Sequence, residues 1–165
     1  MLVVSASEDW PHLSGKIRDG RHVLLVRVYY EDTDFSGVVY HASYLRFMER
    51  GRTDYLRLLG IDHRGLFEQA AHEAPCFAFV VRSMQIEFLK PARMDDVLEI
   101  LTAPAEVKGA SIILRQRVVR ERETLVDAQV RVAFVSGGRA QRIPTPLRIA
   151  METDREAQGA GAASR

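Results

Sequence analysis

Two carboxylates, a glycine and a histidine crowd into the run Tyr30-Glu-Asp-Thr-Asp-Phe-Ser-Gly-Val-Val-Tyr-His-Ala-Ser-Tyr44. Asp32 and Asp34 stand two residues apart, Gly37 follows, and His41 lies seven residues beyond Asp34. An apolar, β-branched stretch precedes the run and an amphipathic helical pattern follows it. The start of a helix presents unpaired backbone N–H groups and the positive end of the helix dipole. A carboxylate held beside such donors can attack a carbonyl or activate water while the donors stabilise the oxyanion.

Other chemistries fit these residues less well. Asp32, Asp34, Ser36 and Gly37 match positions one, three, five and six of a calcium loop, but position twelve is Ser43 rather than a bidentate Glu. The Asp-x-Asp spacing also suits a phosphotransferase nucleophile with Lys90 and Asp95-Asp96 downstream, yet the chain lacks the alternating helices of a parallel α/β sheet. Taken singly, each of these residues reads first as a turn former or a helix cap. Cys76 sits in the apolar run Cys76-Phe-Ala-Phe-Val-Val81 and reads as packing rather than as a nucleophile. The remaining histidines, at 12, 22, 63 and 72, are scattered. No metal-ligand spacing is found, so no metal is expected.

The elements around the run set the fold. His22 to Tyr30 reads as a strand. From Ala42 to Leu59 the period becomes helical, with Tyr44, Met48, Gly51, Tyr55 and Leu58 on one stripe widened by Leu45, Phe47, Leu56 and Leu59. Gly60 is the expected stop. Gly51, costly in mid-helix by about 1 kcal/mol, points to close packing on something flat. Phe77–Leu89, Asp96–Val107, Ala110–Arg120 and Thr124–Val135 read as long strands, with Val126, Ala128, Val130, Val132 and Phe134 facing one way. Short turns between them predict antiparallel pairing of sequence neighbours. The result is an α+β class: a curved antiparallel five-stranded sheet around one long central helix, with open edges that favour a second copy.

Composition sets the limits. The 165 residues suffice for one domain, at 47% hydrophobic and 27% charged. A net charge of +1 provides no field for nucleic acid or anionic membrane. The apolar runs are too short to span a bilayer, residues 1–20 do not read as a signal peptide, and a lone cysteine fits a reducing cytoplasm. The expected organisation is a loosely held extension over 1–20, the domain over 21–150, and a disordered Ala/Gly-rich tail over 151–165.

The whole string Tyr-Glu-Asp-Thr-Asp-x-x-Gly-Val-Val-Tyr-His-Ala-x-Tyr resembles the signature of the Tol-Pal-associated acyl-CoA thioesterases, within the 4-hydroxybenzoyl-CoA thioesterase branch of the hotdog fold. The resemblance continues through Phe79-Val-Val-Arg-Ser-Met84, Pro91-Ala-Arg-Met-Asp-Asp96 and Gln116-Arg117, covering roughly residues 22–148. It implies a hotdog acyl-CoA thioesterase in the cytoplasm, a homodimer or homotetramer with its cleft between subunits, and a link to envelope maintenance and lipid metabolism. Asp34 matches the catalytic carboxylate, acting as nucleophile or as general base. His41 matches the motif histidine, its N–H polarising the carbonyl and its imidazole orienting Asp34, water or substrate. Asp32 is expected to tie the loop, and Gly37 to supply a turn or a close substrate approach. Val38, Tyr40 and Tyr44 are candidates for the acyl pocket, with core packing an equal reading for Tyr44. Lys108 and Arg82 match positions that would meet the carrier's phosphates, with a solvated charge an equal reading for each.

A thiol leaving group, with a pKa of about 8.5, departs without a strong acid. No cofactor is therefore expected beyond the coenzyme A of the substrate, and acyl carrier protein is the alternative carrier. Two other functions use the same residues. One is a binding module for acyl-CoA or acyl carrier protein without turnover; the other is a hotdog dehydratase or hydratase working with Asp34 and His41 on the acyl α and β carbons.

Overall fold

The structure, a computed structural model, describes residues 13–61 and 77–162. The expectations for residues 1–12, for the buried packing of Cys76, and for His12, His63 and His72 lie outside the described residues. Seven strands form one antiparallel sheet: β1 (Lys16–Arg18), β2 (Arg21–Arg27), β3 (Phe77–Phe88), β4 (Val97–Val107), β5 (Ser111–Arg120), β6 (Glu123–Ser136) and β7 (Arg139–Ala140). Their order is β1-β2-β4-β5-β6-β3, with β7 on β6. The five long strands are those expected, and the count rises by two short ones. β1 folds back on β2 through a tight turn, so the extension is ordered from Leu13 and held by the pairing of Lys16 with Val23.

Helix α1 (His41–Leu58) crosses one face of this sheet over β2, β4 and β5. Its inward stripe is Tyr44, Phe47, Met48, Gly51, Tyr55 and Leu56, all buried, whereas Leu45 and Leu58 turn outward. The facing strand residues alternate as their period requires: Leu98 and Ile100 on β4, Leu114 and Val118 on β5, and Val126, Ala128 and Val130 on β6. Gly51 is the point of closest approach. A Cβ there would lie 3.0 Å from both Ile100 Cγ2 and Thr102 Oγ1, so the glycine answers to packing and not to a hinge. Beside it, Gln116 donates to the Met48 carbonyl and to Thr102 Oγ1, both at 2.8 Å, and accepts from Arg52. This satisfies a buried amide that would otherwise be costly.

Two expectations are corrected. The strands before and after Lys90–Asp95 do not pair with each other: β3 pairs with β6, and β4 lies between β2 and β5. Leu89 and Lys90 N–H close on the Leu125 carbonyl at 2.8 and 3.1 Å, after which the chain strides across the start of α1 to reach β4. The short Pro- and Asp-containing stretch reads as a hairpin turn, but it is a crossover.

The tail expected to be disordered is likewise helical over its described residues, because helix α2 runs over Thr145–Ala162. Leu147 and Met151 are buried against Tyr55, Leu56 and Ile112 in the second core cluster. The same stripe continues with two polar residues. Tyr55 Oη donates to Asp154 Oδ2 at 2.8 Å, and Gln158 donates to the Pro104 carbonyl at 3.1 Å. Tertiary contact overrides the low helix propensity of the glycines here.

His22 and Asp54 form a second buried anchor. Asp54 Oδ2 receives Gly15 N–H and His22 Nε2, each at 2.7 Å, tying the β1–β2 corner to α1. Burial holds the His22 imidazole below its ordinary pKa.

The packing at Gly51 carries a direct test. Gly51→Val should lower unfolding stability by about 2 kcal/mol or more, through overpacking against Ile100 and Thr102. Urea denaturation followed by circular dichroism measures it, and an unchanged midpoint would contradict the close contact.

Candidate active site

The loop between β2 and α1 is built by its own short side chains. A single 3-10 turn, Tyr30–Asp32, is closed by Asp32, whose Oδ2 accepts Tyr29 N–H at 2.8 Å. Asp32 is buried, and its carbonyl also accepts Tyr40 N–H at 2.9 Å. It ties the loop and faces no open space, as the sequence suggests. The chain then turns tightly, with Asp34 N–H donating to the Val38 carbonyl and Gly37 N–H to the Asp34 carbonyl, both at 3.0 Å. Gly37 has φ +79°, and nothing lies within 4 Å of where its Cβ would be. Glycine thus serves the left-handed conformation, and the space above the loop is open.

This turn presents Asp34 outward. Its Oδ1 accepts Ser36 N–H at 2.8 Å and the Ser36 hydroxyl, an Asx-type turn, and no described residue bonds to Oδ2. The Ser36 hydroxyl, then the Ser36 N–H, hold the Asp34 carboxyl below its ordinary pKa, with a smaller contribution from His41. The group is therefore an exposed carboxylate with one oxygen fixed and one available.

His41 is the first residue of α1. Its N-cap, Tyr40, supplies no side-chain cap, and the first turn holds no acidic residue. Ser43 N–H already donates to the Tyr40 carbonyl at 2.8 Å, so the first-turn donors left for the loop are those of His41 and Ala42, with no side-chain cap competing for them. Tyr40 is 44% exposed, and its ring meets the His41 ring at 4.4 Å. Val38 is half-buried beside them. Tyr44 is a buried ring whose hydroxyl accepts Ala92 N–H at 2.9 Å, so it forms the floor of the site and its phenol stays protonated.

Asp34, Gly37, Val38, Tyr40, His41 and Tyr44 thus come together. Arg82 and Lys108 do not join them within one chain. Arg82 sits at the bulge of β3 between Val81 and Ser83, exposed, about 20 Å along the strand from Phe88. Lys108 follows the far end of β4 and ion-pairs with Glu106 at 3.2 Å, about 35 Å of strand from the loop end. Sequence reasoning overlooks three features. Ser36 was legible, because a serine two residues after an aspartate is a standard side-chain turn. The crossover segment, with Val39 N–H on the Ala92 carbonyl at 2.9 Å and Val38 bridged to Arg93, required the topology. So did Phe88, at the end of β3 beside His41. A cavity of about 420 Å³ lies elsewhere, beside β1, lined by Lys16, Arg18, Leu25 and Glu99, and holds none of the candidate residues.

The end of this loop, from Ser36, and the helix start fall within the reach of a family model, and Asp34 lies just ahead of it. The model of the thioesterase superfamily matches residues 36–126. The chain belongs to that superfamily. The acyl-CoA thioesterase YbgC of Haemophilus influenzae is 44% identical over 124 residues, covering 75% of this chain and 88% of the relative. The acyl-CoA thioester hydrolase YbgC of Escherichia coli O6:H1 is 50% identical over 111 residues, covering 67% and 78%. Among solved structures, a probable thioesterase from Bartonella henselae superposes with a TM-score of 0.69 at 41% identity, covering 75% of this chain and 99% of its own. The hotdog arrangement of sheet and helix is thus shared, and the chain is a thioesterase-family hydrolase.

The Ser36 clamp can be tested directly. The Asp34 carboxyl, followed by carbon-13 NMR, should titrate with a midpoint below the ordinary 3.8, and Ser36→Ala should move it upward. An unchanged midpoint would show that Ser36 does not hold the carboxylate.

Proposed function

We propose that this protein hydrolyses acyl-CoA thioesters in the cytoplasm, with Asp34 as nucleophile or general base and the His41 N–H as oxyanion donor. The observation that carries the reading is the juxtaposition of a carboxylate with one free oxygen and an uncapped helix N-terminus, both fixed by backbone hydrogen bonds. The thioester carbonyl lies over the start of α1, where the N–H groups of the first turn take up the charge that develops on its oxygen. Asp34 either attacks the carbonyl carbon, expelling the thiolate and forming an acyl-aspartyl anhydride that water then hydrolyses, or deprotonates a water that attacks instead. In both routes the C–S bond breaks and the thiolate leaves without a dedicated acid.

The open side of the loop supports a second copy completing the cleft. Phe35 is fully exposed, Asp34 is open to solvent, and among the described residues the long strand β3 is paired on one side only. An antiparallel edge of this kind pairs readily with itself. In such a dimer or dimer of dimers, Lys108 or Arg82 of the second copy is the cation available to the carrier's phosphates. Coenzyme A is the first carrier to test and acyl carrier protein the second. The names of the YbgC relatives support the acyl-CoA class. The Tol-Pal association belongs to this proposal on the motif resemblance alone.

Asp34→Asn keeps the shape of the side chain and removes its charge. Thiol release from a panel of short, long and aromatic acyl-CoAs should fall by at least about 100-fold in this variant, with the fold intact. Turnover at the wild-type rate would remove Asp34 from the chemistry. Thiol release also separates hydrolysis from hydration of an enoyl thioester, which leaves the thioester whole.

A further inference from the structure

Phe88 is the last residue of β3, and its ring is 48% exposed. It nonetheless has two defined aromatic contacts, both with site residues. Its ring meets the edge of His41 at 6.2 Å and 79°, and it meets Tyr44 at 5.9 Å and 50°. The rings of Tyr40, His41, Phe88 and Tyr44 therefore follow one another in an unbroken row past the start of α1. Within this row Tyr44 is immobilised by burial and by the Ala92 N–H, so it cannot move to admit a ligand.

After Phe88 the crossover carries ion pairs, with Lys90 on Glu123 and Arg120 shared between Asp96 and Glu123. The same stretch also carries the exposed apolar side chains of Leu89 and Met94. The half-buried Val38 precedes the exposed Tyr40 ring, which meets the His41 ring. An acyl group whose carbonyl sits at the His41 N–H has this row of rings beside it, and Phe88 is the half-exposed ring of the row that meets both His41 and the fixed Tyr44.

We propose that Phe88 is the wall of the acyl pocket and sets which acyl groups are accepted, an inference that rests on the thioesterase reading above. The residue is specificity-determining and takes no part in the chemistry. The ring contact with His41 means that an acyl group packed on Phe88 is also aligned with the oxyanion donor. Apolar acyl groups long enough to reach the ring therefore gain turnover over acetyl, which cannot reach it.

The test is the kcat/KM profile over straight-chain acyl-CoAs from acetyl to decanoyl, with benzoyl-CoA, for wild type, Phe88→Ala, Phe88→Leu and Phe88→Tyr. The preference for the best acyl group over acetyl should fall by at least about tenfold in Phe88→Ala. It should fall less in Phe88→Leu and stay within threefold in Phe88→Tyr. If Phe88→Ala does not fold, Phe88→Leu and Phe88→Tyr give the same comparison. Loss of a purely structural ring would lower every substrate alike. A profile unchanged in all three variants, or lowered uniformly, would overturn the proposal. A wild-type protein inert toward the entire series would instead overturn the hydrolytic reading, a distinguishable result.

Discussion

The peptide of Ala92 spends both of its hydrogen-bonding groups on the candidate active site. Its carbonyl accepts Val39 N–H and its N–H donates to the Tyr44 hydroxyl, each at 2.9 Å, in a residue with no exposed surface. One contact fixes the strand-like stretch that leaves the Asp34 turn, and the other fixes the first turn of α1. The crossover from β3 to β4 is thereby the part that sets the carboxylate and the helix start at a constant separation. Its own ends are secured by Leu89 and Lys90 on the Leu125 carbonyl and by Val28 on the Asp96 carbonyl at 2.9 Å. Buried backbone groups left unpaired are costly. A slip in this segment would therefore break several bonds at once.

The rest of the molecule divides into a closed half and an open one. Around the C-terminal half of α1, a buried cluster, the His22–Asp54 anchor and α2 leave little room for movement. Around its N-terminal end, Asp34, Phe35, Tyr40 and Phe88 stay exposed over a buried floor of Tyr44 and Ala92. A rigid scaffold carrying an open, preorganised loop is what differential stabilisation of a transition state asks for. Exposure of the charged and aromatic groups at this one end is also why the sheet edge β3 and a second copy enter the functional reading.

Much of this was legible in the chain. The stripe Tyr44, Met48, Gly51 and Tyr55 and the alternation Val126 to Phe134 follow directly from the two periodicities, and Gly51 announced the close contact with the sheet. The Asp34–His41 segment was legible as a tight loop running into a helix start, because residue types, spacing and the following helix agreed. The order of strands was not, because a six-residue crossover and a hairpin turn share the same Pro, Asp and Lys chemistry. Helix α2 was hidden by composition, since Asp154 and Gln158 occupy its inward stripe and find their partners outside the helix in Tyr55 and Pro104. Phe88 looked like one more apolar strand residue until the topology brought the end of β3 to His41. Phosphate-contact roles for Arg82 and Lys108 rested on resemblance, and one chain holds both apart from the loop.

The central claim is that the Asp34 turn and the start of α1 act on one thioester. A crystal structure of Asp34→Asn with an intact acyl-CoA bound tests it most directly. The account predicts the thioester oxygen within about 3 Å of the His41 N–H, with the carbonyl carbon facing the side chain at position 34. A thioester bound away from α1, for example in the cavity beside β1, would contradict it.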